Sequence, residues 1–501
     1  MNFPRSAGIL LHPTSLPGSD GIGGLGSEAY RWVDFLADSG CGLWQILPLG
    51  PTGFGDSPYQ SFSAFAGNHY LVSPELLLDE GLLTEKDLSD RPDFPAEEVD
   101  YGAALPWKNA LLDRAYKTFV NSDSWKNEFE EFQRKHKSWL TDYALFLAIK
   151  EAHGGAPWTA WPSGLQGREG KALDAARITY RSAIQMHAFR QFLFFRQWNS
   201  LMAHAAARGV RIVGDIPIYV SHDSADVWAN PHLFDLDERG QPNFVAGVPP
   251  DYFSVTGQLW GNPLYRWDAH AGDDYAWWTA RFKSALSMVN AIRLDHFRGF
   301  AGYWAVPAGE PTAVKGSWEP GPGAHFFSSL QHSLGELPLI AEDLGEITPD
   351  VIELRDRFEL PGMKIFQFGF ADGPDDEFLP HTYPENCVAY TGTHDNDTAR
   401  GWYENANWRE RRFCRKYLSI RKAEQAAPAM IEKLWESNAD QVLAPMQDFL
   451  NLGTQARMNY PSHPHGNWRW RMPAGALSDD LSARLIELNE QANRKLQKIG
   501  K

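Results

Sequence analysis

Cationic charge is what this sequence is shortest of: 47 Lys and Arg stand against 63 Asp and Glu in 501 residues, a formal net charge of −16. A chain so charged repels a phosphate backbone, which argues against nucleic acid as a partner. Cysteine is scarce too. Cys41, Cys387 and Cys414 lie far apart without CxxC spacing, and their odd number fits neither a disulfide framework nor a zinc site. They are expected to be reduced, mostly buried thiols. No window approaches the ~18 uninterrupted apolar residues of a membrane span, and the opening MNFPRSAGILLHPTSLPGS has no basic stretch leading into an apolar segment, as a secretory signal would. A soluble, cytoplasmic protein with no membrane partner is predicted. Internal repeats and low-complexity tracts are missing as well. Present in excess is tryptophan: 20 residues, with aromatics at 13% of the chain. Either the core is unusually aromatic or some rings line a binding groove.

Short apolar runs recur down the chain, each separated from the next by at least one plausible helix. They read as parallel strands: Gly8–His12, Leu43–Leu49, Val210–Asp215, Asn290–Asp295, Leu337–Asp343, Met363–Phe368 and Val388–Asp395, with an eighth placed within Ala456–Tyr460. Runs buried on both faces and joined by helices indicate an α/β fold. Eight of them suggest a (β/α)8 TIM barrel, with a doubly wound open sheet as the other arrangement of the same pattern. The chain is therefore read as a single barrel domain over 1–501. Two intervals are too long for simple connections and are expected to be insertions: about 70–205, mostly helical, and about 220–290, rich in Pro, Gly, Asp and Trp and expected to cover a substrate.

Gly21-Ile22-Gly23-Gly24-Leu25-Gly26 matches the dinucleotide-binding GxGxxG, but the context fails twice. HPTSLPGSD separates it from the preceding strand, and the next strand runs into Pro48-Leu49-Gly50-Pro51 rather than ending on an acid. A glycine loop before a helix is the better reading. Four other strand-like runs do finish on acids: Asp215, Asp295, Glu342 and Asp395. In a parallel barrel all strand C-termini point to one face, so these carboxylates converge. Each alone could cap a helix. Four together, with Arg293 on the same strand face as Asp295 and His394 beside Asp395, point to chemistry.

Convergent carboxylates without a metal are what glycosidic bond cleavage needs. One acid is ionised, to attack the anomeric carbon or stabilise its positive charge; the other is protonated, to release the leaving oxygen. An adjacent Arg favours the anion at one, and crowding by other carboxylates raises the pKa of the other. Mg²⁺ or Ca²⁺ binding is the competing use of such acids, but they lie on different strands and no DxDxDG loop occurs. His463 and His465 have no third ligand nearby and read as loop residues. No metal and no organic cofactor is expected.

AIRLDHFRGF from Ala291, IAEDLG from Ile340, YTGTHDNDT from Tyr390 and GDIPIYV from Gly214 resemble the catalytic signatures of the α-amylase superfamily. GDSPYQSFSAFAGN from Gly55, AGVPPDYFSVTGQLWGNPLY from Ala246, LPGMKIFQF from Leu360 and ARMNYPSHPHGNW from Ala456 narrow the resemblance to the 4-α-glucanotransferases, also called amylomaltases or disproportionating enzymes, from about residue 6 to about 475. The resemblance implies that Asp295 is the nucleophile, Glu342 the general acid and then base, and Asp395 the carboxylate that holds sugar hydroxyls and strains the ring. It also implies that Arg293 supports Asp295, and that His394, Asp215, Asp251 and Asn467 contact sugar. The family lacks a separate C-terminal β-domain, and none is expected here. Asp343 and Asp397 are extra acids without an assigned role.

Tyr59 and Trp260 stand in Gly- and Pro-bearing loops beside Ser57 and Gln258, which can bond hydroxyls. They are the expected stacking platforms, since an apolar sugar face suits a ring while its edge takes hydrogen bonds. The loop GVPPDYFSVTG at 247–257 is expected to fold over the cleft, present Tyr252 and Phe253 to glucan, and disfavour water until an acceptor arrives. The favoured function is a retaining transfer of α-1,4-glucan segments from a donor to the 4-hydroxyl of another glucan or of glucose, with maltooligosaccharides as substrates and no obligate protein partner. A glucan hydrolase on the same scaffold is the alternative, and a non-catalytic glucan-binding protein the third reading.

Overall fold

Inward–outward alternation along short apolar runs sets the architecture of the computed structural model, which describes residues 4–250, 254–463 and 465–496, with the backbone alone at Phe54. The strands are β1 (Ser6–Leu10), β2 (Leu43–Gln45), β3 (Arg211–Pro217), β4 (Phe244–Val248), β5 (Gln258–Pro263), β6 (Ala291–Asp295), β7 (Gly302–Pro307), β8 (Ser317–Pro320), β9 (Leu339–Ala341), β10 (Gly362–Ile365), β11 (Cys387–Tyr390) and β12 (Gln441–Pro445). Eight of them form one parallel sheet in the order β10-β11-β12-β1-β2-β3-β6-β9. Its ends meet: Ala341 N–H donates to the Pro361 carbonyl at 2.9 Å, and Met363 N–H to Asp343 Oδ1 at 2.7 Å. The sheet is a TIM barrel, not an open doubly wound sheet.

Side chains pointing inward fill the barrel. Leu43, Val213, Ala291, Ile340, Val388 and Leu443 form its own apolar cluster, each such burial contributing about 1.5–3 kcal/mol for the larger side chains. Gln45, the next inward residue on β2, accepts the Tyr390 hydroxyl at 2.8 Å, so the polar pair is satisfied in the interior. Trp44 points outward and packs against Trp32 and Trp198 under the surrounding helices. Trp228, Trp278 and Trp435 are fully buried as well, so much of the tryptophan excess is core.

The expected eighth strand is corrected: it is Gln441–Pro445, while Ala456–Tyr460 is a short helical turn and loop. Only Val442-Leu443-Ala444 carries an uninterrupted apolar signal there, between Gln441 and Pro445, too brief to stand out beside the Trp435 helix before it. Two other runs are shorter than expected. β2 stops at Gln45 before the Pro48 loop, and β11 stops at Tyr390, leaving His394 and Asp395 in the loop beyond it. The GxGxxG stretch is a loop before the helix Ser27–Asp38. A Cβ on Gly23 would lie 2.0 Å from the Pro13 carbonyl oxygen, so backbone packing accounts for that glycine.

Between β2 and β3 lie helices that include Tyr101–Val120, Lys137–Ala152 and Arg181–Ala207. The last is apolar almost all round at Phe189, Phe192, Phe194, Phe195 and Trp198 because other elements cover it on several sides. Its buried Gln191 imitates a strand, accepting Gly67 N–H and donating to Gly67 C=O at 2.8 Å each, which anchors the chain leaving the 50–63 loop. Between β3 and β6 the chain makes the β4–β5 hairpin, which joins β7 and β8 in an antiparallel sheet ordered β5-β4-β7-β8 that the sequence pattern did not reveal. Among the described residues no helix is long and apolar enough to cross a membrane.

Candidate active site

At the C-terminal ends of β3 and β6 the strand register sets Asp215 opposite Arg293 and Pro217 opposite Asp295. Arg293 Nη1 lies 2.8 Å from Asp215 Oδ2 and 2.8 Å from Asp295 Oδ1, so one guanidinium nitrogen bridges two carboxylates. The Tyr59 hydroxyl donates to Asp215 Oδ2 at 2.8 Å. Burial, with Asp215 beside it, raises the Tyr59 phenol well above its usual range, which keeps that proton in place. Asp215 Oδ1 is buried and has no hydrogen-bond partner among the described residues. Burial pushes Asp215 up to about 7; Arg293 opposes the shift and the Asp295 charge adds to it. Burial also pulls on Arg293, but Asp215 and Asp295 together more than reverse this and hold its proton firmly.

Glu342 follows β9 directly. Its Oε2 accepts the His296 backbone N–H at 2.6 Å and its Oε1 the Leu344 N–H at 3.2 Å. Burial raises its pKa to about 8; the Asp295 charge reinforces the rise, while Arg293 and the His296 N–H work against it. Two acids at the ends of neighbouring strands are thus held differently: Asp295 in an ion pair, Glu342 where burial favours the protonated form.

His394 and Asp395 come from the loop after β11. The His394 ring stacks on Tyr59, centroids 5.1 Å apart at 17°, and its Nε2 lies 3.4 Å from Asp395 Oδ2. Burial lowers the His394 pKa, so the imidazole is neutral at pH 7, with Asp395 opposing. Trp260, on β5, stands edge-on to the His296 ring with centroids 4.8 Å apart, and donates its indole N–H to Gln258 Oε1 at 3.2 Å. Of the expected residues, Tyr59, Asp215, Arg293, Asp295, His394 and Asp395 are linked by direct contacts and Gln258 touches Trp260, while Glu342 and Trp260 meet only through His296. Ser57 is used locally, its hydroxyl accepting Tyr59 N–H at 3.2 Å. Asn467 accepts Tyr460 N–H and donates to the His463 carbonyl, so its amide holds its own loop. Asp251, Tyr252 and Phe253 lie outside the described residues.

Several contributors went unassigned in the sequence. Asn459 donates to Asp395 Oδ1 at 2.6 Å, and Arg457 to the Asp395 carbonyl at 2.5 Å, so the segment mistaken for a strand steadies the third carboxylate. Trp468 sits 5.8 Å from both Tyr59 and His394. All three belong to the quoted ARMNYPSHPHGNW motif, which was the available signal. The two unassigned acids are structural: Asp343 caps Met363 and pairs with Arg355 at 2.6 Å, and Asp397 accepts Thr398 N–H and the Thr454 hydroxyl. A cavity of ≈ 70 Å³ bordered by Tyr59, Ser61, Asp215, Tyr219 and Ser221 adjoins the pair on β3 and β6. Among the described residues no three His, Cys, Asp or Glu side chains are grouped to hold a metal ion.

Residues 11–478 match the family model described as 4-alpha-glucanotransferase. The chain is 50% identical to the 4-alpha-glucanotransferase of Thermus thermophilus over 99% of its own length and 100% of that protein's, and 47% identical to that of Synechocystis sp. over 98% of each. Its structure is similar to the amylomaltase from Streptococcus agalactiae in complex with acarbose, with a TM-score of 0.95 and 41% identity, covering 98% of this chain and 100% of that one.

Proposed function

The chain belongs to the 4-alpha-glucanotransferase family, and from that premise we infer how its own residues carry out glucan transfer. Asp295, ion-paired to Arg293, attacks the anomeric carbon of the donor while Glu342, protonated at neutral pH, gives its proton to the departing O4. The product of this step is a glycosyl ester of Asp295, which carries no charge. Loss of that anion removes one of the causes that raise Glu342, so the carboxyl that has just given up its proton now suits a base. Glu342 then takes the proton of an acceptor 4-hydroxyl as that oxygen attacks the ester from the vacated side. Two inversions leave the α-configuration intact.

Asp215 Oδ1, Asp395 and His394 bind hydroxyls of the sugar being transferred, and Tyr59 and Trp260 give its apolar faces a wall. The unpartnered, buried Asp215 Oδ1 supports this, since such an oxygen is costly unless substrate supplies a donor. The acarbose held by the S. agalactiae amylomaltase supports glucan chains as substrates; in this reading glucose is the smallest acceptor. One observation carries the assignment: a single guanidinium nitrogen binds Asp295, while Glu342 on the adjacent strand is pushed to about 8. Incubation with maltotriose tests it. The wild-type chain is expected to yield both longer and shorter oligosaccharides, and D295N neither. Residual transfer by a folded D295N above about 1% of wild type would refute the nucleophile assignment, because losing a nucleophile removes far more than that.

A further inference from the structure

His296 follows Asp295 directly, and its backbone is left-handed at φ 55°, ψ 50°. Residues with a Cβ seldom adopt that conformation, and where they do the surrounding structure enforces it. Here the turn aims the His296 N–H at Glu342 Oε2, 2.6 Å away. The side chain leaves in another direction. Its ring stands at 88° to the Trp260 indole, and its Nε2 is buried without a hydrogen-bond partner among the described residues. A Cβ on Gly299 would come within 3.1 Å of His296 Cδ2, so that glycine makes room for the ring. An imidazole with an orphaned nitrogen is serving as a packed wall, and burial keeps it neutral, its pKa lowered to about 3.

We propose that His296 is a positioning residue with two separable outputs: its left-handed backbone orients and tunes the carboxyl of Glu342, and its ring holds Trp260 at the angle a bound sugar meets. The inference rests on the reading of Glu342 as acid and base. Four other groups bear on that carboxyl: Arg293 and Asp295 from β6, Asp343 next in sequence and the Leu344 N–H. None of these groups is itself substituted in a His296 variant, and variants that all lack the ring share the same change in burial, so a difference in the Glu342 titration among them reports the His296 N–H.

The experiment compares H296A, H296G, H296N and H296V in the full chain, with kcat and KM for maltotriose measured separately from pH 5 to 10 and folding checked by thermal melting. Gly and Asn enter the left-handed region readily, Ala less so and Val least. H296G and H296N are expected to raise KM about 5-fold as Trp260 loses its prop, with the alkaline limb of kcat within about 0.3 pH unit of wild type. H296V is expected to lower kcat at least about 10-fold and move that limb upward by ~0.5 unit or more, because the lost N–H stabilised the anionic carboxylate. If H296V does not fold, H296A against H296G makes the same comparison without a ring in either. Equal alkaline limbs in the folded left-handed and non-left-handed variants overturn the backbone output, and an unchanged KM in H296N overturns the ring output. E342Q separates the two levels: transfer retained there would refute the acid reading itself, whereas transfer lost there with a silent His296 series refutes only this inference.

Discussion

Removing the Arg293 guanidinium is the perturbation whose consequences can be worked furthest. Arg293 is 4% exposed, the Asp215 side chain 0% and that of Asp295 27%, so R293M leaves two carboxylates close together with little water. At ~4 Å and an effective dielectric of about 20, one pair interacts by roughly 4 kcal/mol, and truncating one partner of a buried pair costs about 3–5 kcal/mol. The folded variant escapes part of that cost by protonating Asp215, already pushed to about 7. A carboxyl whose folded pKa lies above its unfolded value destabilises the fold once pH exceeds the unfolded value, increasingly so up to the folded one. The R293M deficit should therefore be smaller at pH 5 than at pH 8. D215N removes the stranded charge, so D215N/R293M should be more stable than the sum of the single variants predicts by about 1.5–3 kcal/mol. Urea midpoints for the four proteins at both pH values measure this. A deficit under ~1 kcal/mol at pH 8, no widening with pH, or additivity within about 0.5 kcal/mol would each refute the reasoning.

Because the Glu342 pKa is raised to about 8 in the fold, its ionisation opposes folding above about pH 4.5; E342Q should be more stable than wild type by roughly 2–4 kcal/mol at pH 9 and indistinguishable at pH 4, as read by denaturant titration. Shortening the 247–257 connection at 251–255 should raise hydrolysis relative to transfer several-fold in a maltotriose assay that counts new reducing ends, and an unchanged ratio would refute a water-excluding role. D343A should lose about 2–4 kcal/mol of stability through the freed Met363 N–H and Arg355, with kcat per folded molecule within about 2-fold of wild type.

Much of the proposed site's geometry was legible because its carboxylates sit at or just beyond strand ends, where a parallel barrel converts distant sequence positions into neighbours. Asp295 and Arg293 could be paired from their spacing alone, since two residues apart on a strand means one face. Asp215 and Glu342 needed only the barrel. What stayed hidden depended on irregular backbone. The His296 N–H is a donor in any sequence, and nothing in the letter H announces a left-handed turn that aims it at Glu342. Asn459 was obscured by a wrong strand assignment, because the apolar triplet of β12 is shorter than the motif that follows it. The antiparallel sheet was missed for a related reason: its partners are separated by β6, and strands as short as Ser317–Pro320, exposed on both faces, carry no alternation to read.

The seam between β9 and β10 gives the barrel an uneven ring. Elsewhere, neighbouring strands are laced by ladders running several residues, five of them in register between β1 and β12. Here one backbone hydrogen bond and the carboxylate of Asp343 close the circle. Local opening has the lowest free energy where fewest bonds must break together, so amides at this joint should exchange with solvent sooner than those of β1 or β12. Glu342 is carried on the short segment that spans it. Hydrogen exchange that is earlier at this joint than at β1 and β12 would mark the Glu342 wall as the place where the cylinder gives first, with the strands that carry Asp295 and Asp215 left closed.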